Sequence, residues 1–157
     1  MGIGKRAYFA NTIRARTVCS AAASITNNVM PFKYAIDLQR NLIRQELWGV
    51  IKVGDLRELA SMMWRDPQYR KGLHILADLR ETQIDMHYEE MVEYTHFLSG
   101  NSEIGRQAIV VRRQLEYGMA RMYQQLTENN VVRSDLKVFF DMQAAEDWIL
   151  REEPAQT

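Results

Sequence analysis

The feature that most limits how this chain can fold is a repeated change of hydrophobic period between residues 32 and 150, from two residues to about 3.6 and back. Phe32, Tyr34 and Ile36 alternate with Lys33 and Asp37, as in a strand with one buried face. A turn over 37–41 and an Ile, Val, Leu and Trp-rich run over 42–53, interrupted by Gly49, predict a second strand paired with the first in a hairpin. Leu56, Leu59, Ala60, Met63 and Trp64 then fall on one face of a helix, with Asp55 and Glu58 as capping groups and Asp66-Pro67 as its stop.

The same two rhythms continue to the end. Residues 73–79 are almost wholly apolar, as a central strand buried on both faces would be. A helix follows with Tyr88, Met91, Val92, Thr95 and Leu98 on one side, and Gly100 is placed to end it in a left-handed conformation. Residues 108–111 read as another strand, and the helix after it places Leu115, Met119, Met122 and Leu126 inward, closed by Asn129-Asn130. Residues 136–140 form the last strand, and Asp141 caps a final helix with Ala144, Ala145, Trp148 and Ile149 packed inward. The order β-β-α-β-α-β-α-β-α predicts an α/β fold: one mixed five-stranded sheet, antiparallel in its opening hairpin and parallel elsewhere, with four helices.

The predicted domain is 30–151, with a short tail over 152–157. A chain of 157 residues, 46% hydrophobic, can bury one core without disulfides or metal. Its single cysteine, Cys19, has no partner in the chain, as expected of a cytoplasmic protein in a reducing compartment. Residues 1–29 carry Lys5, Arg6, Arg14 and Arg16 and no acid, which leaves 16 basic against 20 acidic groups in the remainder, a net of −4. That balance offers no cationic footprint for nucleic acid. Two readings fit the basic leader: an organellar transit segment, or an extension upstream of a start at Met30, and we take the second. No stretch approaches the roughly 20 apolar residues of a membrane span.

Chemistry-bearing residues are sparse. His74, His87 and His96 lie 13 and 9 residues apart, which puts no two on one helical face, so no metal is expected. Ser61, Ser99, Ser102 and Ser134 lack a nucleophile elbow, and the segment 100–105 lacks the glycine spacing and lysine of a phosphate loop. Neither a catalytic set nor a cofactor is predicted. Asp78 and Arg80, at the carboxyl end of a buried strand, are candidates for ligand or partner contact together with Asp85. Alternatively, Asp78 accepts from loop amides while Arg80 pairs with Glu81 or Asp85 to hold the turn. An enzyme would need Asp78, Arg80 and His87 gathered in one cleft. Arg112 and Arg113 either share an anion with the following helix or form a solvated pair. Tyr117, Arg121 and Tyr123 suggest a partner surface. Helical methionines, among them Met62, Met63, Met86, Met91, Met119 and Met122, either fill the core or line an adaptable apolar cavity.

Five features in order carry a family resemblance. They are the hairpin with Gly49, Asp66-Pro67-x-Tyr69 before Gly72, the strand ending Leu76-Ala77-Asp78-Leu79-Arg80, the segment from Tyr117-Gly118-Met119 to Tyr123, and Val138-Phe139-Phe140-Asp141 with Ala144, Ala145 and Trp148. Together they span nearly all of 31–150, and the chain resembles the bacterial SpoIIAA-like family, which belongs with the STAS-type domains. The resemblance implies a non-enzymatic regulatory or protein-interaction domain. The similar Sec14-type domains imply the alternative, a carrier or sensor of a small apolar or lipid-like ligand, held between the sheet and the Tyr117 helix. In anti-sigma-factor antagonists a Ser or Thr is phosphorylated at the start of the helix after the third strand. Here that region reads Ile84-Asp85-Met86-His87, and Thr82 is the nearest hydroxyl. A homodimer is the default assembly.

Overall fold

Alternation of apolar and polar side chains builds the first two strands as expected. β1 (Phe32–Asp37) and β2 (Leu42–Ile51) pair antiparallel, with Phe32 opposite Leu47 and Asp37 opposite Leu42. In the computed structural model of the chain, the residues described are 29–100, 103–129 and 135–152. The leader through Asn28, Cys19, Ser102, Asn130, Ser134 and most of the tail lie outside them. The turn between β1 and β2 closes through Asn41, which has φ 55° and suits the left-handed conformation that asparagine tolerates. Gly49 has φ +70°, and a Cβ added there would meet no heavy atom within 4 Å, so backbone conformation and not crowding calls for glycine. It lies just beyond a shift of register against the next strand, between Glu46 and Trp48.

The chain then enters α1 (Val53–Arg65) directly from the strand. The Lys52 N–H donates to Asp55 Oδ2 at 2.8 Å, so Asp55 caps the helix one turn earlier than the apolar stripe suggests, and Glu58 pairs with Arg65 instead. β3 (His74–Ile84) is longer than the apolar run 73–79. Its polar end, Glu81–Ile84, pairs in parallel with Trp48–Ile51 of β2, because ladder hydrogen bonding rather than side-chain burial sustains that part of the strand.

α2 (Tyr88–Ser99) follows, then β4 (Gln107–Val110), α3 (Gln114–Asn129), β5 (Leu136–Phe139) and α4 (Met142–Leu150). The sheet order is β1-β2-β3-β4-β5, antiparallel in the first pair and parallel in the other three, so β3 is central. Strands that advance in one direction, joined by crossovers of one hand, lay their helices on one face. Accordingly α1, α2 and α3 cover one side of the sheet, with Leu59, Met63, Met91, Leu98, Ala120 and Tyr123 buried there. The last helix has no following strand to reach. α4 turns back onto the other face, where Ala145, Trp148 and Ile149 meet Leu42, Leu76, Ala108 and Val110.

Three expected facings are corrected. α3 fully buries Glu116, Ala120, Tyr123 and Thr127, one residue on from the predicted stripe, of which Met119, Met122 and Leu126 are half-buried against the core while Leu115 is 65% exposed. Glu116 tolerates the interior because Arg113 donates to both of its carboxylate oxygens. Tyr88 is exposed, since the inward stripe of α2 starts at Met91, and Ala144 is exposed while Ala145 is buried. Gly100 ends α2 with φ −73° and ψ −16°, a right-handed residue, so the chain leaves the helix without the expected left-handed cap. Asp141 does cap α4, accepting from the N–H groups of Gln143 and Ala144. Gly105 leaves no room for a side chain, because a Cβ there would meet His74 Nδ1 and lie 2.7 Å from the Gly72 carbonyl oxygen.

Candidate functional site

The three-helix face of the sheet does not close completely. Inward positions on β2 and β3 are Gln45, Leu47, Ile51, Ala77, Leu79 and Ile84, and β4 adds Gln107 and Ile109. Above them stand Leu56 and Leu59 of α1, Met91 and Tyr94 of α2, and Met119, Ala120 and Tyr123 of α3, with Met86 ahead of α2. These residues bound a cavity of about 80 Å³. One water needs roughly 10–15 Å³ measured this way, and an apolar cavity of about 150 Å³ holds benzene. Three methionine side chains in the wall can change rotamer at low cost, so the space is adaptable.

The wall is apolar apart from four side chains. Gln45 and Gln107 are both buried on strands, where a glutamine is unusual among inward-facing residues. Gln45 Nε2 lies 3.0 Å from Met63 Sδ. The Gln107 side chain faces the Tyr123 hydroxyl, and its Oε1 is buried without a hydrogen-bond partner. Burial pushes the Tyr123 phenol up to about 12, against the opposing pull of the hydrogen bond from Gln107. Burial likewise raises Tyr94 well above the usual tyrosine range, with neighbouring Tyr123 adding to it; the two rings are 6.1 Å apart.

Both phenols therefore keep their protons in the folded protein at pH values where the unfolded chain, with tyrosines near 10, has begun to release them. Stability is expected to be full below about pH 10 and to fall as pH rises towards 12. Urea midpoints compared across pH 8 to 11 should drop more gently in Tyr123→Phe than in the parent chain. Identical slopes would show that Tyr123 is not the group responsible.

The residues singled out from the sequence are dispersed around this cavity. Asp78 lies within β3, opposite the end of β4, and accepts from the Arg80 backbone N–H at 3.1 Å and its guanidinium at 2.9 and 2.7 Å. Burial acts to raise the Asp78 carboxyl, but Arg80's hydrogen bonds and charge, helped by Arg112, hold it below its ordinary range. Arg80 thus pairs with Asp78, not with Glu81 or Asp85. Glu81 takes Arg112 at 2.5 Å, and Asp85 lies past the end of β3 with its N–H bonded to the Ile51 carbonyl. Thr82 is a buried strand residue whose hydroxyl donates to the Leu79 carbonyl at 2.7 Å, and it does not start a helix. Tyr117 stacks on Phe140 with centroids 4.8 Å apart, Arg121 is exposed and bonds Gln124, and Tyr123 is buried in the cavity wall. These three do not share one surface, because a helix turns Tyr123 inward when Arg121 faces solvent.

His74 accepts from the Arg106 N–H at 2.8 Å, while His87 and His96 are exposed. Among the described residues no three His, Cys, Asp or Glu side chains are grouped as a metal site would require. No described helix is long and apolar enough to cross a membrane. A second, shallower groove beside Gly49 and Val50 contains Arg80, Arg112 and Arg113, each already paired with an acid. Gln45 and Gln107 were not foreseen as site residues. The available signal was a polar amide at an inward position of an apolar strand.

The sheet order, the helix segregation and the opening hairpin define a SpoIIAA-like fold. The chain is similar to a solved structure of an uncharacterised protein of the DUF3478 family with a SpoIIAA-like fold from Shewanella loihica PV-4, with a TM-score of 0.53 and 16% identity over 80% of this chain and 99% of that one. No family model matches the sequence, and no curated protein does. At that identity the likeness concerns the fold.

Proposed function

We propose that the unit formed by residues 30–151 is a non-enzymatic carrier or sensor of a small, largely apolar molecule. The cavity between the sheet and α1–α3 would hold it. The observation that carries this reading is a partly open apolar pocket with a buried acceptor in its wall, Gln107 Oε1, that has no protein partner. A structural core of this size normally satisfies its polar atoms and fills its space. Asp78, Arg80, Arg112 and Arg113 are engaged in ion pairs, which argues for a scaffold role beside the cavity and against acid–base chemistry. We likewise propose a cytoplasmic protein, on the ground of the lone Cys19, and a homodimer, on the general preference for closed symmetric assemblies.

A second reading, a protein-interaction domain, is favoured by a different observation. Leu115 is exposed at the start of α3, and Phe140, 46% exposed, stacks on Tyr117 nearby. Large apolar side chains in solvent suit a partner's surface.

Native mass spectrometry of protein purified without denaturation separates the two. A co-purifying small mass that disappears in Ala120→Leu, which fills the cavity from α3, supports the carrier. Protein that is persistently empty, and whose Met86, Met91 and Met119 methyl resonances move with neither pyrrole nor furan, removes it.

A further inference from the structure

We infer that the cavity selects a ligand with a small apolar body and one hydrogen-bond donor, and that Gln107 is the residue that reads the donor. The inference rests on the carrier reading and deepens it. Gln107 is nine-tenths buried on β4, the short strand at one side of the cavity floor, where its neighbours Ala108, Ile109 and Val110 are all apolar. Its amide has two ends with different fates. One faces the Tyr123 hydroxyl of α3. The other, Oε1, is buried with no hydrogen-bond partner. An amide oxygen only accepts, so a guest satisfies it by donating an O–H or N–H.

The rest of the wall sets the body of the ligand. Leu47, Ile109, Met91 and Met119 offer dispersion contact and no charge, so an ionised head would be desolvated without compensation. A space of about 80 Å³ is smaller than one that takes benzene, which favours a short chain or a five-membered ring as the part of the guest held inside. A small alcohol, a pyrrole-like N–H heterocycle or a short primary amide meets all three conditions. An ether, a furan or a carboxylate fails at least one.

The test compares pyrrole with furan, rings of nearly the same size in which one presents an N–H donor and the other an oxygen acceptor. Titrations followed by the methionine methyl resonances of the intact chain are expected to give at least tenfold tighter binding of pyrrole, since a buried acceptor left unpaired costs about one decade or more in affinity. In Gln107→Met, similar in length but without the acceptor, furan should bind at least as well as pyrrole. Tyr123→Phe keeps Oε1 and should still prefer pyrrole, and the comparison in the unaltered protein stands even if Gln107→Met does not fold. Equal affinity for the two rings in the unaltered protein overturns the inference while leaving the carrier reading intact. So does a pyrrole preference that survives Gln107→Met. Failure of both rings to shift Met86, Met91 or Met119 overturns both.

Discussion

Replacing Trp148 by alanine is expected to cost about 3–5 kcal/mol, the range for removing a large buried aromatic, and to release α4 from the sheet. Only α4 covers its face among the described residues, and it does so with three buried side chains, Ala145, Trp148 and Ile149, and the partly buried Met142. Trp148 is the largest of them. Its ring lies 5.7 Å from Phe139 of β5, and Lys137 and Arg151 sit over its faces at 5.4 and 5.5 Å. A helix of nine residues has little stability of its own, so it persists by packing. Without the indole, Leu42, Leu76 and Val110 would be opened to water. Chemical denaturation would read the loss, and amide exchange in α4 would show whether the helix detaches before global unfolding. Trp148→Phe is the informative companion: it keeps a ring and removes an indole N–H that is buried without a partner, so it should cost far less. A loss below about 1 kcal/mol in Trp148→Ala, with α4 still protected, would contradict the packing described here.

Arg113→Ala is expected to destabilise the fold by about 2–3 kcal/mol, just below the range for breaking a fully buried ion pair. The Glu116 side chain is 1% exposed, and Arg113 supplies both of its charged hydrogen bonds while also donating to the Thr82 carbonyl at 3.1 Å. The arginine is half exposed, so water recovers part of its share and the loss falls short of that for a fully enclosed pair. The carboxylate left behind stays buried in the first turn of α3, where the helix dipole offsets only part of the cost. Adding Glu116→Leu to Arg113→Ala should restore most of the stability, because no charge is then left in the interior. Urea midpoints of the two single variants and the double variant give the coupling directly. If Arg113→Ala alone leaves the midpoint unchanged, Glu116 is reached by water and the pair has no structural weight.

Much of the architecture was legible because hydrophobic period depends on local geometry. Alternation in Phe32, Tyr34 and Ile36, and helical spacing in Leu59, Ala60 and Met63, led to the correct element order and sheet type. The phase of α3 was not legible. Leu115, Met119, Met122 and Leu126 and the buried set Glu116, Ala120, Tyr123 and Thr127 have the same 4-3-4 spacing, one residue apart. Periodicity cannot choose which row is the more deeply buried, and composition favours the half-buried one, since it takes Arg113 to make Glu116 acceptable inside. The same limit applies at the cavity. Tyr123 reads as a surface aromatic beside Arg121, and Gln107 lies outside the apolar run 108–111; only the three helices over β4 bring the two together.

Taken alone, then, the sequence determined the alternation of strands and helices, the antiparallel start and the parallel remainder, because each of these follows from which residues within a few positions are apolar. Only the tertiary structure decided which side of α3 faces in, that Glu81–Ile84 continues the central strand, and that Gln107 and Tyr123 meet in an apolar cavity. Those outcomes depend on partners tens of residues away in the chain, and an ion pair or a ladder hydrogen bond between distant residues leaves no periodic trace.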